Sequence, residues 1–137
     1  MENIDYDWFL QNLVRAKKTG STGTAITLLV DGFLVSGMLI NGEEYFNGIQ
    51  EDFAQYLTQE QKENLRYNLE PYKKFYVEAY KGKIEEDETL PIFIHLKDAK
   101  FYNTQGMPIP GNQGICWRGR LSQISGFNLG LLSANVE

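Results

Sequence analysis

The spacing of apolar positions changes along the chain from a helical period to a strand period. Over residues 4–18 apolar side chains return every three or four positions, which predicts an amphipathic helix. Residues 24–46 instead alternate on both sides of Asp31-Gly32, a strong two-residue turn signal, and predict a β-hairpin. Gly37 lies inside the return strand and indicates a bulge or a sharp bend, as a small β-barrel requires.

A long polar segment separates this hairpin from the rest of the β structure. Asn41-Gly42 is a further turn signal near the end of the hairpin. Residues 51–83 then predict helix with a thin apolar stripe, and Pro71 either ends that helix or begins a second one. The segment carries four tyrosines, Tyr67, Tyr72, Tyr76 and Tyr80. We therefore expect a Tyr-bearing helical insert that leans on the outside of the β structure.

Strand patterns return in the last third of the chain. Residues 92–102 predict a strand and residues 103–114 a loop interrupted by Gly and Pro. Residues 115–132 predict two strands that join near Ser125-Gly126. The order of elements is thus helix, hairpin, helical insert and three further strands.

This order predicts a single α+β domain over residues 1–137. We expect a small, strongly bent antiparallel β-barrel of five or six strands, capped at one end by the N-terminal helix. The periodic apolar positions predict its core: Trp8, Leu13, Ile26, Leu28, Val30, Val35, Leu39, Ile94, Leu96, Trp117, Leu121, Ile124, Phe127 and Leu129.

Composition narrows the classes of function. The 137 residues carry a net charge of −5, which disfavours a broad phosphate-binding surface and makes nucleic acid an unexpected partner. One Cys excludes an internal disulfide framework, and one Cys with one His cannot form a four-ligand zinc site. The start of the chain lacks the pattern of a secretory signal, and no apolar run reaches membrane-spanning length. We expect a cytoplasmic protein with no membrane span and no cofactor.

Cys116 and His95 are the only residues in the sequence that could form a conventional pair of catalytic nucleophile and general base. Both lie in the middle of predicted strands between large apolar residues, whereas catalytic pairs usually lie on loops or strand ends. A buried structural cysteine is the commoner case. The residues therefore predict a protein that is not an enzyme.

Candidate interaction residues come from the insert and from the last strands. Tyrosine is common at interfaces, so the insert could bind a partner or another copy of the chain, or its tyrosines could pack the insert onto the sheet. Both interpretations stay open at this point. The candidates are Tyr67, Tyr72, Tyr76 and Tyr80, with Arg118 and Arg120 as a small basic patch.

The β segments resemble the Sm-like barrel over about half of the chain. The resemblance is carried by ITLLVDGFLVSGMLI (26–40), FIHLKDAKFY (93–102) and ICWRGRLSQI (115–124). RNA binding in that family uses an Asp/Asn pair and an Arg-Gly step. The matching positions are Glu43, Asn47, Arg118 and Gly119. The resemblance implies, as the alternative function, an RNA-binding protein that uses Asn47, Arg118 and Arg120.

A more specific run of residues resembles the gas vesicle accessory protein U family (GvpU). It comprises LLVDGFLVSGMLINGEEYF (28–46), FIHLKDAKFY (93–102) and ICWRGRLSQISGFNLGLLS (115–133). This resemblance implies a cytoplasmic, non-enzymatic accessory protein of gas vesicle formation or organisation. It implies protein–protein contacts with vesicle shell or accessory proteins, together with self-association. A homo-oligomer that forms by pairing of edge strands is the expected assembly.

Overall fold

The computed structural model describes residues 7–17, 23–80, 91–109 and 113–132. These residues form three α-helices and five strands. The helices are α1 (Trp8–Ala16), α2 (Gly42–Ala54) and α3 (Gln59–Tyr80). The strands are β1 (Thr24–Val30), β2 (Phe33–Ile40), β3 (Phe93–Tyr102), β4 (Ile115–Arg120) and β5 (Ile124–Leu129). None of the described helices is both long and apolar enough to cross a membrane.

Helix α1 confirms the predicted N-terminal helix in its described part. The Asp7 carboxylate caps it by accepting a hydrogen bond from the backbone N–H of Phe9 at 2.7 Å. The helix buries Leu10 and Val14, whereas Trp8 is 67% exposed. The prediction that Trp8 is a core residue was therefore wrong, because the inward face of α1 is centred on Leu10 and Val14. Residues 4–6 and 18 of the predicted helix lie outside the described residues.

The predicted hairpin is confirmed for β1 and β2. Asp31 and Gly32 have φ angles of 50° and 82°, as a two-residue turn between strongly twisted strands requires. The hairpin ends at Ile40, however. Asn41 is the N-cap of α2: its side chain accepts from the N–H of Glu44 at 2.8 Å, and the Glu44 carboxylate accepts from the N–H of Asn41 at 3.3 Å.

This capping box corrects two predictions. Asn41-Gly42 does not form a turn, and the helical insert begins at Gly42 and not at residue 51. The helix α3 also continues across Pro71 instead of ending or beginning there. Pro71 removes the hydrogen bond to the carbonyl of Tyr67. Because Pro71 and Tyr67 both lie on the exposed side of α3, water can bind that carbonyl.

The five strands form one antiparallel sheet in the order β4-β3-β2-β1-β5. Three ladders contain register shifts, between Leu29 and Val30, between Ser36 and Met38, and between Leu96 and Ala99. Such irregularities bend a sheet. The edges β4 and β5 are not joined by a ladder within the described residues, so the sheet is not closed. The barrel and its Sm-like form stay predictions.

The connection between β4 and β5 differs from the predicted one. A 3-10 turn, Leu121–Gln123, joins the two strands, while Ser125 and Gly126 lie within β5. The backbone N–H of Leu121 donates to the carbonyl of Ile92 at 2.9 Å, which ties the turn to the start of β3. The buried Leu121 side chain then anchors this connection in the core.

The core lies on one face of the sheet under α1. Predicted core residues that are buried are Ile26, Leu28, Val35, Leu39, Ile94, Leu96 and Leu121. Those that are partly buried against the core are Leu13, Val30, Trp117, Ile124 and Phe127. Leu129 is 57% exposed, so its assignment to the core was wrong. It lies on β5, which is an edge strand of the sheet that the described residues form.

Candidate functional site

A cavity of about 260 Å³ lies between the helices and the second face of the sheet. Its walls come from all three helices and from β2, β3 and β4, so it exists only in the folded chain. The lining residues are Val14, Ile40, Asn41, Phe46, Tyr72, Phe75, Tyr76, Pro91, Ile92, Phe93, His95 and Arg118. Most of these side chains are apolar or aromatic, which is typical of ligand pockets.

His95 is one of two buried polar residues that line this cavity, the other being Asn41. It is 6% exposed and stands opposite Arg118 in the β3–β4 ladder. The aromatic rings of Tyr45 and Tyr76 lie 4.9 Å and 6.4 Å from the imidazole ring. The Nε2 atom is buried and has no hydrogen-bond partner among the described residues.

Burial determines the charge of these groups. It lowers the pKa of His95 to about 3, and the positive charge of Arg118 acts in the same direction. The imidazole is therefore neutral at pH 7. Burial also raises the pKa of the Tyr45 phenol, which stays protonated. Arg118 is consequently a positive charge beside an otherwise uncharged set of side chains.

Arg118 is held at the cavity by an aromatic contact. The carbon at the centre of its guanidinium lies 3.9 Å from the centroid of the Phe93 ring, a cation–π geometry. Phe93 and His95 occupy alternate positions of β3 and so share one face of that strand. Among the described residues no carboxylate forms an ion pair with Arg118. The guanidinium N–H groups are thus available to an acceptor at the cavity.

Helix α3 provides the outer wall. Tyr76 is half-buried, and a Cβ atom built on Gly42 would lie only 2.6 Å from its ring. Glycine at position 42 therefore allows α2 and α3 to approach closely enough for Tyr76 to pack against the start of α2. Tyr72 and Phe75 line the same cavity but remain 63% and 70% exposed.

The structure brings together some of the predicted interaction residues and separates others. Tyr72, Tyr76 and Arg118 line the cavity, whereas Tyr67 and Arg120 do not. Tyr67 is 80% exposed on α3. The side chain of Tyr80 lies outside the described residues. The two interpretations therefore apply to different tyrosines. Tyr76 packs the insert onto the sheet, whereas Tyr67 and Tyr72 are exposed and remain candidates for contact with a partner.

Other residues of the cavity are not among the interaction residues that the sequence predicts. Phe93 was detectable, because it alternates with His95 on the face of β3 opposite Leu96. Phe75 also follows the helical spacing that links Tyr72 and Tyr76. Asn41-Gly42 also predicts a turn, so the sequence does not show that Asn41 begins α2. No sequence signal shows that these segments meet around one cavity.

The Cys116 and His95 pair lacks the charge state that nucleophilic catalysis needs. Cys116 lies under α2, where its backbone N–H donates to the Asp52 carboxylate at 2.7 Å. Burial raises the pKa of its thiol to about 12, and the negative charge of Asp52 adds to the effect. The thiol is thus protonated at pH 7. No group of three or more His, Cys, Asp or Glu side chains in the described ranges could hold a metal ion.

The residues of the RNA-binding alternative do not line one common groove. Asn47 is exposed on α2 and lines a groove with Lys97 and with a larger number of carboxylates, those of Glu44, Glu51, Asp52 and Asp98. Arg118 and Arg120 do not line this groove. Carboxylates beside Asn47 repel a phosphate backbone, so this surrounding does not favour the alternative.

The helical insert exposes five large aromatic side chains. We call these residues the aromatic surface: Phe53, Tyr56, Tyr67, Tyr72 and Phe75. On α3, the helical turn of about 100° per residue places Tyr67, Tyr72 and Phe75 within an arc of about 140°. These three rings therefore point to one side of the helix.

The fold and these features define an α+β protein with an apolar cavity and an exposed aromatic surface, in which the candidate nucleophile is protonated. A family model described as "Gas vesicle protein GvpU-like" matches residues 7–132. The match covers nearly the whole chain, so the protein belongs to the GvpU-like family, which relates it to gas vesicles. This confirms the resemblance found in the sequence. No curated protein and no solved structure matches the chain.

Proposed function

We propose that the protein is a non-enzymatic, cytoplasmic accessory protein of gas vesicle formation or organisation. It acts by binding vesicle shell or accessory proteins through the aromatic surface. Family membership supports the link to gas vesicles. Binding through this surface is inferred from the exposure of five large aromatic side chains on one helical insert.

The exposed rings of the insert lie on one segment of the chain, residues 53–75. Isolated exposed apolar residues are ordinary, but several rings on one short segment are typical of contact surfaces. Tyrosine suits this use because its ring buries a large apolar area while its hydroxyl still finds a hydrogen-bond partner. Packing within the domain explains Tyr76 but not Tyr67, Tyr72 and Phe75, which are 80%, 63% and 70% exposed.

Removal of two rings from the aromatic surface should weaken binding to gas vesicles. We expect the double variant Tyr56→Ser/Tyr67→Ser to lose retention on isolated gas vesicles about tenfold or more, because interface aromatics often contribute over about 1 kcal/mol each. Neither residue lines the cavity. The measurement is co-sedimentation or flotation with intact vesicles over a range of protein concentrations.

The matched control is Phe33→Ser, which removes a half-exposed ring next to the hairpin turn, away from the insert. This variant should be retained like the unmodified protein. The proposal fails if the unmodified protein is retained no better than an unrelated acidic domain. It also fails in its choice of surface if the double variant and Phe33→Ser bind equally well.

We infer further that copies of the chain associate through their sheet edges. The strands β4 and β5 lie at opposite edges of the sheet, so β4 of one copy can pair with β5 of the next. Such a head-to-tail contact generates a ring or a filament. Leu129, 57% exposed on β5, supplies apolar area at this edge.

A charge on the β5 edge should prevent this association. We expect Leu129→Lys to shift the sedimentation coefficient of the protein toward that of a 15.7 kDa monomer, because a lysine on an edge strand blocks pairing. The control, Met107→Lys, places the same charge at another exposed apolar residue. A concentration-independent monomer for the unmodified chain, or an unchanged assembly of Leu129→Lys, would contradict the inference.

A further inference from the structure

The cavity between α3 and the sheet has the size and lining of a site for a small ligand. Its volume of about 260 Å³ is slightly below the range of about 300–1,000 Å³ that is typical of ligand pockets, which suits a small occupant. At the volume of about 30 Å³ that a water molecule takes in the liquid, it holds about nine waters. An occupant of about ten non-hydrogen atoms therefore fits. The aromatic and aliphatic walls favour an apolar body for that occupant.

Two polar features indicate that this is more than a packing defect. A buried imidazole nitrogen without a hydrogen-bond partner is costly, and native proteins rarely leave one unsatisfied. His95 is only 6% exposed, yet its Nε2 lacks such a partner among the described residues. A polar group of a ligand, or a water that enters with it, would supply the hydrogen bond to Nε2 that no described residue makes.

The second feature is the position of Arg118. Its guanidinium is held over the Phe93 ring at 3.9 Å, and both residues line the cavity. A guanidinium can bind a carboxylate in a bidentate geometry, through two parallel N–H···O hydrogen bonds. It is also less strongly hydrated than an ammonium group. The neutral His95 and the protonated Tyr45 leave Arg118 as the charge that a ligand meets at this wall.

We propose that this cavity binds a small amphipathic carboxylate, with the apolar body among the aromatic walls and the carboxylate on Arg118. The ligand class follows from the lining: an apolar chain or ring of about ten non-hydrogen atoms matches the volume, and one anionic group matches one guanidinium. Tyr72 and Phe75 belong both to the aromatic surface and to the wall of this cavity, whereas Tyr56 and Tyr67 belong to the aromatic surface alone. The site goes beyond the accessory function, because its ligand class follows from the cavity lining and not from vesicle binding.

Octanoate is a direct probe, and octanamide is its uncharged counterpart of the same length. Titration of the full chain, followed by calorimetry, should show saturable binding of octanoate with a Kd of about 1 mM or below. Octanamide should bind at least tenfold more weakly. The chain contains one His, so the imidazole nitrogen signals of His95 in NMR report unambiguously on occupancy and should shift with octanoate.

Two variants of neighbouring arginines test the role of Arg118. Arg118→Met keeps an unbranched apolar stem over Phe93 and removes the charge, and we expect at least a tenfold weaker affinity for octanoate. Arg120→Met changes the same residue type on the same face of β4, two positions away, outside the cavity lining. It should change the affinity less than twofold. Both side chains are exposed, so both variants should fold, which thermal melting checks.

Three results would overturn the proposal: no saturable uptake of octanoate, equal affinity for octanoate and octanamide, or equal weakening by the two arginine variants. Equal weakening would mean attraction to positive charge in general. Vesicle retention by the unmodified protein is a separate readout. A chain that binds gas vesicles but not octanoate refutes the ligand site alone, and the converse refutes the accessory function alone.

Discussion

Substitution of Gly37 by valine is expected to lower the free energy of unfolding by about 3 kcal/mol. A Cβ atom at this position would lie 2.8 Å from the carbonyl oxygen of Lys97 and 3.1 Å from the Cα of Ala99. Both are backbone atoms of β3, so relief requires a shift of the strand itself. The same place contains the register shift of the β2–β3 ladder and Asp98 at a φ of 51°.

Urea unfolding of Gly37→Val measures this loss. The control is Gly126→Val on the edge strand β5, where an added Cβ meets no atom within 4 Å. Valine favours strand conformation, so the control should stay within about 0.5 kcal/mol of the unmodified protein. If Gly126→Val is as destabilising as Gly37→Val, the loss reflects glycine replacement in general and not the contact with β3.

Acidification from pH 7 to pH 5 is expected to cost the protein about 2 kcal/mol of stability through His95 alone. The folded state lowers the pKa of His95 to about 3, whereas the unfolded state keeps about 6.5. Between these values the unfolded chain binds a proton that the folded chain does not. Stability therefore rises with pH through this window, reaches its plateau above about pH 6.5, and is lost as the pH falls.

The variant His95→Phe isolates this contribution. Its ring fills a similar volume but does not titrate, so its stability should fall about 2 kcal/mol less over the same pH interval. The comparison isolates one imidazole because the chain has one His, which lies beside Arg118, Tyr45 and Tyr76. Parallel stability profiles of the two proteins would show that His95 is not buried as described.

Local signals account for the parts of the fold that the sequence predicted well. The Asp31-Gly32 turn follows from the left-handed backbone that a tight hairpin requires. The buried face of β3 follows from alternation around Leu96. The capping box at Asn41 was also present as a local pattern, Asn followed three residues later by Glu. It was missed because Asn-Gly is equally a turn signal.

Other errors came from neighbours that the sequence does not identify. The apolar pattern of α1 admits several inward faces, and only contact with the sheet decides that Leu10 and Val14 are buried and Trp8 is exposed. Leu129 alternates like a core residue, yet its strand lies at the edge. The continuity of α3 through Pro71 depends on whether the affected carbonyl reaches water, which is again a property of the packed molecule.

Short segments and a run of shared residues are enough to predict the α+β class, the hairpin, the irregularity of β2 at Gly37 and membership of the GvpU-like family. The strand order and the cavity with His95 and Arg118 on its wall depend on tertiary packing. It also decided which tyrosines pack and which are exposed. These features require segments as distant as α1 and β4 to meet, and local propensity carries no information about that meeting.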